Sequence, residues 1–306
     1  MNDKIIFVIG HPRSGTTLLN KVLLAHPKIN FITFEFNDLS YFYFNQHLYE
    51  KYGKEKYLMM TKDFFKHPWI QLSLIQQPVE SIKTSNINTN NFQQFVHSFL
   101  NEFRLPKDNN LIGIKISDNI TNNVSMIAQI FKDAHCVHII RDPRDIFLST
   151  KKNFGTVSPF YGGKSWAENV SQIMSLKNEL KHYYELRYEQ FVTNSKEELE
   201  KLCSFLGVDF DNQMLEFYKK IINPSKSHSL LTKKIVTNNF NKWQTNLSDK
   251  KLELLYAGAG AKIFQLGYSD KEHNSRISFL ERLKEFILEK SRLSVPLVLV
   301  RQSLPR

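Results

Sequence analysis

Ile5-Ile6-Phe7-Val8-Ile9-Gly10-His11-Pro12-Arg13-Ser14-Gly15-Thr16-Thr17-Leu18-Leu19, followed by Val22-Leu23-Leu24 and His26, is the stretch around which the chain is organised. Its opening run of β-branched and aromatic residues predicts a strand buried on both faces, and the later apolar spacing predicts a helix. A tight loop joins them. Four residues separate Gly10 from Gly15, the G-x-x-x-x-G spacing of a loop that turns backbone N–H groups and a helix N-terminus toward a phosphate. In the triphosphate version of that loop, Lys and then Ser or Thr follow the second glycine, to meet the terminal phosphates and Mg²⁺. Here Thr16 and Thr17 follow, and the cation lies inside the loop as Arg13. The loop is suited to a phosphate group without the lysine that a γ-phosphate normally requires.

A chain of 306 residues accommodates one large α/β domain, or a domain with appendages, around a full core. Its net charge of +11 favours anionic partners, and charge alone does not choose among a phosphorylated nucleotide, an acidic glycan, a membrane surface and nucleic acid. Cys136 and Cys203 both sit in apolar runs, which predicts buried thiols rather than a disulfide or a metal site. The first strand begins within a few residues of the N-terminus, and no apolar run has the length of a bilayer span. The expected location is cytoplasmic.

Further strands are predicted at Lys28 to Phe36, Leu111 to Ser117, Cys136 to Ile140 and Tyr184 to Glu189. Helices are predicted at Asn119 to Lys132, from Pro143 onward, at Trp166 to about Lys181, from a Thr193-Asn194-Ser195/Glu198 capping box to Gly207, and at Ser248 to about Gln265. This alternation implies an α/β fold: a P-loop-like central parallel sheet flanked by helices on both sides, with ligand loops at the carboxyl ends of the strands. Residues 39–110 break the alternation with an aromatic, irregular insertion from Tyr41 to Trp69 and an Asn/Thr-rich patch near Ser85 to Asn91. Helical patches are expected at Leu39 to Glu50 and Phe92 to Phe103, with a loop at Asn86 to Asn91.

Three groups of residues point to chemistry. Glu35 stands among Phe34, Phe36 and Leu39 at a strand end, where desolvation would raise its pKa toward that of a general base, although a solvated edge residue is the ordinary reading. Lys115 lies inside an apolar strand, a costly place unless an anion meets it or the strand is an edge. Arg141 closes another strand in Arg141-Asp142-Pro143-Arg144-Asp145, and Ser149 follows eight positions later, two turns into the predicted helix, so that both could face one anion. Arg144 has Asp142 and Asp145 as candidate partners.

Pro12-Arg13-Ser14-Gly15-Thr16-Thr17 with His26-Pro27 resembles the 5′-phosphosulfate loop of sulfotransferases that use 3′-phosphoadenosine 5′-phosphosulfate (PAPS), and Arg141-Asp142-Pro143-Arg144-Asp145 with Ser149 resembles their 3′-phosphate segment. The resemblance runs from about Ile5 to Tyr268. It implies donor binding by Arg13, Ser14, Gly15, Thr16, Thr17, Arg141 and Ser149, with Tyr188 near the adenine and Lys242 of Asn-Lys-Trp reaching the 3′-phosphate. The family's loop pattern is altered there. It also implies Lys115 of Gly113-Ile114-Lys115 at the bridging oxygen, although Ile116 replaces the usual Thr. Glu35 is implied as the base, with His11 in reserve. By the same resemblance residues 1–268 form the sulfotransferase domain, 39–110 its acceptor-side insertion, PAPS the co-substrate and 3′,5′-adenosine bisphosphate (PAP) the product, without a metal. The preferred acceptor is a hydroxyl of a carbohydrate or glycolipid, with no role for nucleic acid.

Two rivals stand beside this reading: a small-molecule kinase on the same loop fold, which calls for a Lys at position 16, and a basic polyanion-binding protein in which the loop is incidental. The tail, 269–306, matches nothing in the family. Ile277, Phe279, Leu280, Leu283, Phe286 and Ile287 form one apolar helical face, with Arg276, Arg282, Lys284, Glu285 and Lys290 around it. Such a face ordinarily packs on its own domain or on a second copy in a homodimer. The alternative is that, with Arg292 to Arg301, it rests peripherally on an anionic membrane.

Overall fold

The computed structural model describes residues 4–35, 37, 39–66, 91–101, 111–155, 157–221, 226–273 and 277–303. Strands β1 (Lys4–Ile9), β2 (Asn30–Glu35), β3 (Leu111–Ile116), β4 (His135–Ile140) and β5 (His182–Arg187) form one sheet in the order β2-β3-β1-β4-β5, and every neighbouring pair is parallel. The apolar runs are continuous because both faces are covered. On one face Ile5, Phe7, Ile9, Ile112, Ile114, Ile116 and Cys136 share a core with Ile120 and Ile127 of α5 (Ile120–Ile130) and with Ile173 and Leu176 of α7 (Pro159–Glu179). The other face meets α1 (Thr16–Ala25), which packs on β1, β2 and β3, and α8 (Tyr188–Thr193) with α9 (Ser195–Leu206), which pack on β5. The expected flanked parallel sheet is the one observed.

In a parallel sheet the carboxyl ends of all strands lie at one edge, and the loop after β1, the end of β2 and the end of β3 all leave from it. The switch in strand order falls at β1, which has β3 on one side and β4 on the other.

The insertion supplies α2 (Leu39–Phe44), a 3₁₀ segment over Gln46–Glu55, α3 (Lys56–Lys66) and α4 (Phe92–Asn101). Its helix at Leu39 to Glu50 is shorter than expected, with 3₁₀ geometry after Phe44. Trp69 and residues 86–90 lie outside the described residues. Part of the aromatic run enters the core: Phe42, Tyr49, Tyr57 and Phe64 are buried with the strands above, as are Phe92, Phe95 and Phe99 of α4, while Tyr41, Phe44 and Tyr52 are exposed. Tyr57 stacks on Phe95 at 5.1 Å and Phe64 meets Phe99 edge-on at 5.0 Å.

Contacts divide the chain into two compact units, Met1–Ile140 with Gln172–Val236, and Arg141–Ser171 with Thr237–Arg306. The second contains α6 (Pro143–Phe154), the first half of α7, α10 (Trp243–Asn246), α11 (Asp249–Ala259), α12 (Lys262–Gln265) and α13 (Phe279–Ser303). Helices α7 and α11 cross at two glycines. A Cβ on Gly163 would fall 2.3 Å from the Leu255 carbonyl, and one on Gly258 would fall 1.9 Å from that of Phe160. The single helix expected from Ser248 to Gln265 is instead two, broken where Gly260 takes φ 57°. Asp142 caps α6 through the Arg144 N–H at 2.8 Å, with Pro143 following it. The capping box expected at α9 does not form. The Glu198 carboxylate is 2.7 Å from Lys201 instead, while Gly207 ends the helix in the left-handed conformation as expected.

Candidate functional site

The loop after β1 is shaped by two left-handed residues, Arg13 at φ 71° and Gly15 at φ 103°. Arg13 is the costlier of the two, because its Cβ resists that region and surrounding structure must hold it there. Ser14 N–H closes a turn on the His11 carbonyl at 3.0 Å, and Leu19 N–H bonds the Gly15 carbonyl at 3.0 Å as α1 starts. A left-handed residue between right-handed ones turns successive N–H groups to one side, which makes an anion-binding concavity. Both glycines are also required by close approach. A Cβ at Gly10 would lie 2.6 Å from the Ile139 carbonyl, and one at Gly15 2.6 Å from the Tyr188 ring. The Ser14 hydroxyl is buried with no hydrogen-bond partner among the described residues, a position a ligand oxygen would satisfy.

Lys115 is not an edge residue. It sits on β3 between β1 and β2, only 5 % exposed, and donates to Thr17 Oγ1 at 3.1 Å. One turn beyond Thr17 on α1, Lys21 carries a second cation whose pKa is lowered by burial and then by the charge of Lys115. A half-buried amine destabilised by a neighbouring cation beside a phosphate-type loop is relieved by an anion bound there. Lys21 is not among the residues expected from the sequence; its i, i+4 spacing from Thr17 is the signal that marks it.

Glu35 ends β2 and is the cross-strand partner of Lys115. The register shifts between Phe31 and Glu35, an irregularity of the kind that re-aims side chains near active sites. Asn37 pins the chain beyond it. Its side-chain oxygen accepts from Ser117 N–H and Asp118 N–H, each at 3.0 Å, and its carbonyl accepts from Asn123 Nδ2 at 2.8 Å. His11 is 8 % exposed, and burial pushes its pKa down to about 3, so the imidazole is neutral and only weakly basic. His26 has a structural part. It accepts from Lys28 N–H at 2.9 Å through Nδ1, which leaves the Nε2 proton for the Asp209 carbonyl at 2.8 Å. Tyr188 is buried with its ring against Gly15. Elsewhere in this unit an open groove of about 550 Å³ is lined by Tyr43, Gln46, Lys56, Tyr57 and Gln129, among others. Its Lys132 and Asp133 immediately precede β4, so it lies at the amino edge of the sheet, away from the loop.

In the second unit, Arg141 follows the last residue of β4 in the chain and is 7 % exposed. It donates from Nη2 to the Asn239 carbonyl at 2.7 Å, and its own carbonyl accepts from Trp166 Nε1 at 3.1 Å. Lys242 donates to Asn239 Oδ1 at 2.7 Å, so Asn239 joins two of the residues expected at the 3′-phosphate. Ser149 lies half-buried on α6.

Asp145 latches this segment to α6 by accepting from Asn241 N–H at 2.6 Å and Trp243 N–H at 3.2 Å. Burial, then the neighbouring Asp142, raises its pKa. Of the two candidate partners for Arg144, Asp142 is the one engaged, at 2.6 Å. Arg144 also donates to Tyr256 Oη at 3.1 Å and to the Tyr268 carbonyl at 2.5 Å, and it stacks 3.6 Å over Trp243. Among the described residues no cluster of three or more His, Cys, Asp or Glu could hold a metal ion.

The structure of the sulfotransferase domain from the Synechococcus PCC 7002 olefin synthase is similar at a TM-score of 0.54 and 20 % identity, over 83 % of this chain and 94 % of that one. The sulfotransferase domain from the curacin biosynthetic pathway is similar at the same TM-score and 19 % identity, over 87 % of this chain and 98 % of that one. No curated protein matches the chain. These likenesses establish the fold. A model of the sulfotransferase family matches residues 6–212, well over half of the chain and inclusive of both phosphate-type segments, and the chain belongs to that family.

Proposed function

We propose that this sulfotransferase moves the sulfuryl group of PAPS to a hydroxyl of a carbohydrate or glycolipid, in line and without a covalent enzyme intermediate. The observation that carries the reading is the register at the end of β3: Lys115 is bonded to Thr17 of the loop and is the cross-strand partner of Glu35. A cation, an anion-binding loop and a carboxylate-bearing residue thus meet at one strand end. The donor is PAPS, held at its 5′ end by Arg13, the N–H groups of Ser14 and Gly15, and the Thr16 and Thr17 hydroxyls. Arg141, Ser149 and Lys242 take the 3′-phosphate. The adenine role of Tyr188 is what its burial favours least; its ring backs the loop.

In the reaction the acceptor oxygen forms a bond to sulfur while the bond from sulfur to the 5′-phosphate oxygen breaks. Glu35 receives the acceptor proton. Lys115 and Arg13 stabilise the charge that grows on the departing phosphate, as fixed cations do in phosphoryl transfer. His11, buried and with its pKa lowered to about 3, is neutral and a poor base. Residues 1–268 are the functional domain, with 39–110 toward the acceptor. A glycolipid acceptor would place the enzyme peripherally at a bilayer.

Calorimetry with PAP, ATP and AMP tests the donor. PAP is expected to bind more tightly than ATP, and a preference for ATP would restore the kinase. In Arg141→Ala, the advantage of PAP over AMP is expected to fall by roughly tenfold to a hundredfold, the size of one charge-assisted contact. Equal weakening of both ligands would remove Arg141 from the 3′-phosphate. Transfer of labelled sulfate to glycan, phenol and tyrosyl-peptide acceptors tests the other half, and a product on the phenol or peptide alone would overturn the carbohydrate reading.

A further inference from the structure

The C-terminal helix α13 is docked the opposite way from an ordinary amphipathic helix. Its acidic side faces its own unit. The Glu285 carboxylate is buried and accepts from the Ser158 hydroxyl at 2.5 Å and the Phe160 N–H at 3.3 Å, where α7 begins. Glu281 pairs with Lys250 and accepts from Ser278 N–H at 3.1 Å. The apolar side faces outward instead, with Phe279 78 % exposed, Leu280 67 % and Ile287 59 %, and with Leu283 and Phe286 also exposed. Lys284 and Lys290 are exposed on the same outward half, and Arg282 flanks it above the Phe160 ring at 5.9 Å.

We infer that this outward face is a docking surface for an anionic lipid bilayer, on which the helix lies flat. The charge arrangement decides the occupant. Three acids, Glu281, Glu285 and Glu289, lie on the docked half, and the bases lie on or beside the apolar half. On a two-fold axis this face would meet its own copy and gather the lysines of both copies into one apolar interface with no acid of the face to pair them. An anionic membrane surface accepts both the apolar residues and the bases, and the whole chain adds a net charge of +11. The sequence beyond is again apolar between bases, with Arg292, then Leu293, Val295 and Leu297 to Val300, then Arg301. Among the described residues no helix is long and apolar enough to cross a membrane. The surface is independent of which acceptor the enzyme uses.

The test is sedimentation of the full chain with vesicles of phosphatidylcholine, with and without phosphatidylserine. The intact protein is expected to sediment with phosphatidylserine vesicles only. Leu280→Ser combined with Ile287→Ser, and separately Lys284→Glu combined with Lys290→Glu, are each expected to lower the partition coefficient by roughly tenfold or more. Both pairs are exposed, so melting temperature and PAP affinity should stay at the parental values and report an intact fold. No binding to phosphatidylserine vesicles by the intact chain overturns the inference, as does binding that neither pair weakens. A lipid-free dimer that becomes monomeric in the Leu280/Ile287 variant would give the face to a second copy.

Discussion

Glu35→Gln is expected to lower turnover by roughly a hundredfold or more while leaving PAP affinity within about twofold of the parent, because a positioned base acts on the acceptor proton in the transition state and not on the bound donor. The substitution keeps the size of the side chain and the backbone register with Lys115, and Asn37 continues to hold the chain just beyond. The loss should therefore appear in kcat and kcat/KM together, as for an interaction made only in the transition state. Single-turnover transfer from labelled PAPS, beside calorimetry with PAP, separates chemistry from binding. A Gln variant with near-parental turnover would end the assignment. His11 would be a poor successor, since its buried imidazole has little affinity for a proton.

Arg144→Ala is expected to destabilise the chain by about 3–5 kcal/mol, the cost of breaking a buried ion pair from one side. Asp142 would be left buried without its partner, the stack on Trp243 would be lost, and the Tyr268 carbonyl and Tyr256 hydroxyl would each lose a donor. For a chain of this length that corresponds to a fall in melting temperature of roughly 5–8 °C. Arg144→Lys should recover little, because an ammonium cannot reproduce the two-pronged contact that places Nε 2.9 Å from Asp142 Oδ1 and Nη2 2.6 Å from Oδ2. Pairing Arg144→Ala with Asp142→Ala should be less damaging than the sum of the two single changes, since no charge is then stranded. An unchanged melting curve for Arg144→Ala would show that the network carries no stability.

The sheet and its loop were legible because their determinants are contiguous. A strand buried on both faces, two glycines at fixed spacing and the helix after them are properties of neighbouring residues, and so is the Asp142-Pro143 start of α6. Hence Gly10 to Thr17, Arg141 and the strand carrying Lys115 could be named from residue order and family resemblance. What order could not decide was partnership across the fold. The sequence left Lys115 either on an edge or facing an anion, and strand order settled its position by placing β3 between β1 and β2. The electrostatic weight of Lys21, the latch from Asp145 to Asn241 and Trp243, and the hub at Arg144 arise between segments far apart in the chain. Periodicity likewise exposed an amphipathic tail without saying which side would dock. The apolar side normally wins, because burying it gains the most. Here the start of α7 offers a hydroxyl and an N–H that both donate to Glu285, and that local match, visible only in three dimensions, accompanies an apolar side turned outward.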